Sequence, residues 1–415
     1  MAGPLEGIRV MDFSEGVFGP LCAQILGDMG ADVIKIERLQ GEAFRHGMRL
    51  GGGGGVEQAM KEVKSSRADS PRFVFLNRSK RSLAMNATTQ QGREIILRLA
   101  KTADVALHNF RPGVMERLGL AYKDLSSVNP RIVYCSLYGY GETGPMAHRA
   151  GGDLWAQAMG GVIANMGTQK SPPQASTVGL ADAGGAITGA LGIMLALFAR
   201  ERTGKGQEVT TNLLNVVLTL SNYEIRRYLM EGKGPRKIGR CNLNPPMGVY
   251  KAKDREVATM MGAYSDWPLF CKVLGAEHLI DDPRFATDDI RWEHVEELYE
   301  ELDPIFAQKT AAEWQRIFRE HRMRCDPCLD YSDLFDGPHP QVEANDMLMK
   351  MQHPVLGEIK LVGLPIKLKG TPGSPKCPPP LLGQHTAEIL RELGYSSQEI
   401  SELEKSGIAN TGGFN

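Results

Sequence analysis

The spacing of apolar residues changes repeatedly along the chain, and each change marks an expected element. Residues 8–13 are a short apolar run, Gly19-Pro20 interrupts it, 21–29 suits a helix, and 31–38 reads as a second strand. The order recurs, with 91–101 a helix carrying Ile95, Ile96, Leu97 and Leu99, followed by strands at 104–107 and 132–137. Alternating units of this kind predict an α/β fold built on a Rossmann-like parallel sheet wrapped by helices.

The uncharged stretch 183–199 contains Gly184, Gly185, Gly189 and Gly192 and is bracketed by Asp182 and Arg200. It falls just short of the roughly 18 to 20 apolar residues that span a bilayer, so a buried helix of a soluble protein is expected. Beyond it come a turn at 203–207, a strand at 209–212 and a helical pattern at 216–230, with a boundary at Gly232 to Gly234. Residues 249–261 read as a hairpin across Lys253-Asp254, and 266–274 and 294–306 as helices. Thr310-Ala-Ala-Glu313 is a capping box opening another. These elements predict a smaller α+β domain at 225–335 inserted in a large domain formed by 1–224 and 336–415. Strands at 358–362 and 366–368, a proline-rich connector and two short helices close the chain. Glycines 51–55 and the polar residues up to 70 read as a surface loop, either a lid or a plain insertion.

Composition narrows the function. With 42% hydrophobic residues and 48 basic against 49 acidic side chains, net charge −1, the chain can bury a large core. It offers no general attraction to nucleic acid or an anionic membrane. Seven scattered cysteines and an N-terminus without a basic-then-apolar segment fit a reducing cytoplasm.

Several residues have chemistry to offer. Asp182 stands at the start of the glycine-rich apolar helix, where free backbone N–H groups favour a carboxylate and leave room for a substrate carbonyl; capping the helix is its plainer role. Arg38, Arg78, Lys80, Arg81, Arg111 and Arg117 gather near strand ends, where a nucleotide-like anion would bind, although singly each reads as a surface charge. Glu37 stands where a ribose-binding acid is expected, but the three-glycine dinucleotide fingerprint is missing. Cys325-Asp-Pro-Cys328 has no second pair to complete a zinc site, and His108, His148 and His385 show no triad or metal spacing, so no metal is expected.

Seven motifs, in order, resemble one family. They are Leu5-Glu-Gly-Ile-Arg-Val-Met-Asp-Phe with Gly19-Pro20, Gly30-Ala-Asp-Val-Ile-Lys-Ile-Glu37, Asn77-Arg-Ser-Lys-Arg-Ser82, Asn109-Phe-Arg-Pro-Gly113, Gly139-Tyr-Gly-Glu-Thr-Gly-Pro145, Thr203-Gly-Lys-Gly-Gln207 and Pro380-Leu-Leu-Gly-Gln-His-Thr386. The chain resembles the class III CoA-transferases, which include formyl-CoA, carnitine and 2-hydroxyacyl or aryl-lactyl CoA-transferases and the related 2-methylacyl-CoA racemases.

The resemblance implies that Asp182 is the catalytic aspartate, which sets the capping role aside. It implies CoA contacts at Val17, Phe18, Arg38, Met85, Asn86, Thr88, Asn109, Phe110, Arg111 and Arg117, with a further one at Arg149 or Ala150. Coenzyme A is then a co-substrate rather than a permanently bound cofactor, the partners are acyl-CoA and a carboxylic acid, and the assembly is an interlocked homodimer. Val17 and Met260-Met261-Gly262 depart from the formyl-CoA branch and argue against formate and oxalate. The stretch from Cys241 to Lys251 looks closer to the 2-hydroxyacyl and aryl-lactyl branch, and Met247, Met260 and Met261 suit either an acyl pocket or a core. Racemases pair an aspartate with a histidine in the stretch where this chain has Gly151-Gly152-Asp153, and glycine occupies the histidine's place, which favours transfer. A racemase and a non-catalytic subunit of a two-chain transferase remain the alternative readings.

Overall fold

Strands buried nearly from end to end demand a sheet covered on both faces. Such strands are β1 (Arg9–Asp12), β2 (Asp32–Glu37), β3 (Lys80–Met85), β4 (Val105–His108) and β5 (Val133–Tyr138), whereas β6 (Glu208–Asn212) alternates with solvent as an edge strand does. β7 (Gly248–Lys251), β8 (Glu256–Met260) and β9 (Arg324–Pro327) form a separate three-stranded sheet, β10 (Leu348–His353) and β11 (Gly357–Val362) a hairpin, and β12 (Ala409–Asn410) an edge. The main sheet runs β12-β3-β2-β1-β4-β5-β6, parallel throughout except that β12 opposes β3. Val10 at its centre pairs with Val33 on one side and Val105 on the other.

The computed structural model describes residues 2–46, 69–168, 170–234, 237, 239–241, 244–261 and 266–413. The glycine run 51–55 and Gly262 lie outside them. Two compact units emerge: Met1–Val162, Ser176–Arg226 and Glu343–Asn415 form the first, and Ile163–Ala175 with Arg227–Val342 the second.

In the first unit one face of the sheet is covered by the helix Phe18–Asp28 and the central helix Leu180–Thr203, which meet through Phe18, Cys22, Ala186, Ala190 and Ile193. The other face packs Ile95, Ile96 and Leu99 of the helix Gln90–Ala100 with Ile389, Leu390, Ile400 and Leu403 from the C-terminal helices. The second unit has its own aromatic core around Tyr250, Phe270, Phe306, Trp314 and Phe318. Met261 and Cys325 are buried in that core, and Met247 packs against it.

Several expectations are corrected. The central helix is not buried all round: Gly185, Gly189 and Ile193 face the core, while Ile187, Leu191, Leu195 and Phe198 are more than half exposed in the single chain. By length and composition it could cross a membrane. The pattern at 216–230 is two helices, Leu213–Leu220 and Asn222–Glu231, separated at Ser221. No strand forms at 366–368, because β11 takes its partner from the preceding β10.

Three expected anion-binding cations are structural. β3 begins at Lys80, whose ammonium is fully buried and donates to Asp12 Oδ2 at 2.9 Å, Pro20 O at 2.8 Å and Asn77 Oδ1 at 2.8 Å. Arg78 pairs with Asp28 at 2.8 Å, and Arg81 with Asp32, Glu388 and Glu392. Burial is the main influence on Lys80 and pulls its ammonium down to about 8. Burial pushes the Asp12 carboxyl up, but Lys80 and Lys35 outweigh it and hold Asp12 below the usual range. Breaking a buried pair strands a charge, so Asp12→Ala should destabilise the protein by about 3–5 kcal/mol in urea unfolding. Removing both charges with Asp12→Leu/Lys80→Met should recover much of that loss; a double variant no more stable than the single one would show that the pair is not the cause.

Candidate active site

The strand order reverses at β1, and in open parallel sheets ligands bind beyond the carboxyl ends of the strands at that point. The loops after β1 and β4 meet there. Asn109 joins them, its Oδ1 accepting from Glu15 N at 2.9 Å and its Nδ2 donating to Glu15 O at 2.6 Å. Lys35 donates to Ser14 O at 2.8 Å and pairs with Glu42, whose other oxygen accepts from Gly16 N at 2.7 Å. On β4, burial pulls His108 down to about 4, so its ring is neutral. Its Nδ1 accepts from Phe110 N at 3.2 Å, which places the proton on Nε2, facing Ser136 Oγ at 3.0 Å.

Three adjoining cavities open along this edge, and Glu15 and Phe110 line all three. The largest, about 850 Å³, is lined by Val17, Phe18, Arg149 and Asp182. A second of about 630 Å³ is lined by Arg117 and His148, and it shares Asn109 and Arg111 with the first. The third, about 410 Å³, is lined by Arg38, Met85, Asn86 and Thr88. Every residue named from the resemblance therefore lines one continuous edge.

Their side chains differ in what they can still do. Met85 belongs to the core, Asn86 Oδ1 accepts from Thr88 N and Oγ1, and both ends of the Asn109 amide hold Glu15. These residues shape the walls. Arg111, Arg117 and Arg149 are exposed and have no carboxylate partner among the described residues; Arg38 pairs with Glu15 at 3.0 Å yet stays largely exposed. Glu37 is not a ribose ligand in waiting, since Arg45 takes both of its oxygens, at 2.8 and 2.7 Å.

Asp182 sits in the first turn of the central helix, yet it does not cap it. Asp153, the first residue of the helix Asp153–Met159, does so from outside: its Oδ1 accepts from Ala181 N at 2.7 Å and Asp182 N at 3.1 Å. Leu180 N and Ala183 N donate to backbone carbonyls, so the helix start offers no free donor for an oxyanion, contrary to expectation. The Asp182 carboxylate itself accepts no hydrogen bond among the described residues. Burial first, and the Asp153 charge second, push its pKa up to about 6. A carboxylate of that basicity is ionised at neutral pH, unpaired, and a better nucleophile than an ordinary aspartate.

A Cβ at Gly152 would lie 2.6 Å from the Trp155 ring, so a side chain there would have to displace that exposed indole. Gly139 and Gly151 pass equally close, each Cβ falling within 2.6 Å of the other's backbone. Asp153 is a site residue that the motifs do not single out. An acidic residue following two glycines at a helix start was the available signal.

The model of CoA-transferase family III matches residues 5–386. The chain belongs to that family. This family III protein is 39% identical to an acyl-CoA transferase of Fusarium pseudograminearum across 98% of its own length and 88% of the relative's. It is 33% identical to the succinyl-CoA:glutarate CoA-transferase of Mus musculus, covering 98% and 90% of the two chains. Among solved structures, a CAIB/BAIF family protein from Brucella suis matches with a TM-score of 0.81 at 30% identity, over 95% of this chain and 100% of that one. The protein is an enzyme of the CoA-transferase class, which uses CoA thioesters as co-substrates.

The raised pKa of Asp182 has a consequence for stability. A carboxyl whose pKa is raised on folding favours the fold while protonated, below its usual value of 3.8, and that contribution is lost as pH rises through about 6. Asp182→Asn should therefore match the parent near pH 3.5 and exceed it by about 1–3 kcal/mol at pH 7.5. Denaturant titrations at both values check this, and an Asn variant no more stable at pH 7.5 would refute the strained carboxylate. Asp153→Asn should lower the Asp182 pKa, read by carbon-13 NMR of labelled aspartate.

Proposed function

We propose that this enzyme moves CoA from an acyl-CoA thioester to a free carboxylic acid, with Asp182 as the covalent carrier. The unpaired, basic carboxylate of Asp182 in a cavity continuous with an arginine-rich edge carries the reading. Asp182 attacks the thioester carbonyl, the C–S bond breaks, and a mixed aspartyl anhydride forms with release of CoA thiolate. The thiolate attacks the aspartyl carbonyl, giving an aspartyl-CoA thioester and freeing the first acid. The acceptor carboxylate attacks that thioester and expels the thiolate. Thiolate attack on the acceptor carbonyl of the new anhydride yields the second acyl-CoA and restores Asp182. No net proton is consumed.

Between the acyl steps CoA must be retained, and Arg38, Arg111, Arg117 and Arg149 suit its phosphates, with Phe110 as an apolar contact shared by all three cavities. The acid has an apolar or aryl body, such as a 2-hydroxy or aryl acid, since Phe44, Phe75 and Trp155 line the Asp182 cavity. The working form is an interlocked homodimer. Its support is the exposed stripe of Ile187, Leu191, Leu195 and Phe198, which a second copy would cover. None of the seven cysteines is in a disulfide, which suits a cytoplasmic enzyme. Racemisation is disfavoured because position 152 is a glycine and holds no base.

Asp182→Ala should lower CoA exchange by roughly 10³-fold or more, and hydroxylamine should leave a hydroxamate on the peptide carrying Asp182 during turnover. In heavy water a transferase leaves the α-carbon of a 2-methylacyl-CoA unlabelled. Deuterium incorporation at the rate of turnover, with no hydroxamate, would establish the racemase instead. Arg38→Ala and Arg117→Ala should each weaken CoA binding by about tenfold or more at low salt and less at high salt. Calorimetric titration at two salt concentrations tests both, and unchanged affinity removes that arginine from the site.

A further inference from the structure

The loop after β1 is held in place without the side chain of Glu15. Ser14 N donates to Asp12 Oδ1, and Ser14 O accepts from Lys35. Glu15 N donates to Asn109 Oδ1, Glu15 O accepts from Asn109 Nδ2, and Gly16 N donates to Glu42. The Glu15 carboxylate takes no part in this framework. Among the described residues its hydrogen-bond partner is Arg38, whose Nη2 lies 3.0 Å from Oε1 and 3.2 Å from Oε2.

The position of that carboxylate is at odds with an anion-binding edge. Glu15 lines all three cavities. In the cavity that holds Arg38 the other acid is Glu37, which Arg45 already occupies. In the cavity that holds Arg111 and Arg117, Glu15 is the one carboxylate among the described residues. A carboxylate resting on a guanidinium must be displaced before a phosphate can use that group. The side chain of Arg38 is 65% exposed and that of Glu15 33% exposed, so water screens the pair and it can exchange partners at little cost.

The transfer reading makes two opposed demands on this edge: CoA must stay between the acyl steps, and the finished acyl-CoA must leave. Resting on that reading, we propose that Glu15 is a positioning residue that competes with a CoA phosphate for Arg38 and so limits how tightly acyl-CoA is held. When CoA binds, the Arg38 guanidinium passes from the carboxylate to the phosphate. When acyl-CoA leaves, Glu15 takes it back. Arg111 and Arg117 have no such competitor among the described residues, so they hold CoA while Arg38 changes partner.

The test measures CoA affinity by calorimetric titration in the parent, Glu15→Gln, Glu15→Ala, Arg38→Ala and the double variant Glu15→Gln/Arg38→Ala. Both Glu15 variants keep the backbone bonds to Asn109, and urea unfolding shows whether the fold is intact. The expected result is CoA binding about fivefold or more tighter in each Glu15 variant, with slower dissociation of acyl-CoA in a displacement experiment. In the Arg38→Ala background the gain from Glu15→Gln should fall below about twofold, because the two residues act as one pair. Pantetheine, the arm of CoA without phosphates, should bind the parent and the Glu15 variants alike. A pantetheine affinity raised by the same factor as that of CoA overturns the inference, as does an equal gain in the Arg38→Ala background. Unchanged or weaker CoA binding in both Glu15 variants, with Arg38→Ala still impaired, overturns it and leaves the CoA edge standing. Full CoA affinity in Arg38→Ala removes that arginine from the edge, and this inference with it. The transfer reading is judged separately, by whether CoA exchange requires Asp182.

Discussion

The architecture of the site depends on how closely one helix can approach the sheet. Along the central helix, a Cβ at Gly185 would lie 2.7 Å from Phe18, one at Gly189 would lie 2.9 Å from Leu137, and one at Gly192 would lie 2.8 Å from Val209. Each distance is below van der Waals contact, so side chains there would lift the helix off β5, β6 and the helix Phe18–Asp28. Because the helix lies this low, its first turn ends beside the loop after β1, and Asp182 enters the same cavity as Val17 and Phe18. Asp153 then holds that turn through two backbone N–H groups. The same contact that fixes the helix therefore also fixes the carboxylate, and leaves it with no partner of its own.

The charges around the sheet fall into two sets that burial separates. Lys35, Arg45, Arg78 and Lys80 are desolvated and each is matched by a carboxylate, because an unmatched buried charge would cost several kcal/mol. Two of these pairs also shape the site, since Asp12 and Lys35 both bind Ser14, and Glu42 binds Gly16. Arg111, Arg117 and Arg149 stand at the rim and are matched by no carboxylate among the described residues. Solvent already screens them, so leaving them free costs little, and an anion arriving there meets guanidinium groups with nothing to displace. The residue type alone does not separate the sets: Arg78 and Arg111 both follow strands or helices in motif-rich stretches.

Asp182 and Asp153 show why two carboxylates so close in space need different surroundings. Asp153 accepts hydrogen bonds from two backbone N–H groups and from Gln157, which hold it in place. Asp182 has only burial and its neighbour's charge, both of which disfavour ionisation. One carboxylate is consequently a fixture and the other a reactive group, from the same side chain two helices apart.

Much of this was legible in the chain. The strands at 8–13, 31–38, 104–107 and 132–137 follow from local apolar runs, and β1, β2, β4 and β5 fall on them, because a strand buried on both faces must be apolar almost throughout. The motifs between them located the loops that line the cavities, since loops at strand ends carry function wherever the strands are placed. What tertiary structure alone decided involves partners far apart in sequence. β3 was hidden because it opens on Lys80 and Arg81, and only Asp12, 68 positions away, makes that lysine an interior residue. The capping of Asp182's helix by Asp153 and the exposure of one face of an apolar helix have the same origin. Periodicity records which residues seek burial; whether a charge is paired, a face covered or a carboxylate left free depends on which distant elements the fold brings against it.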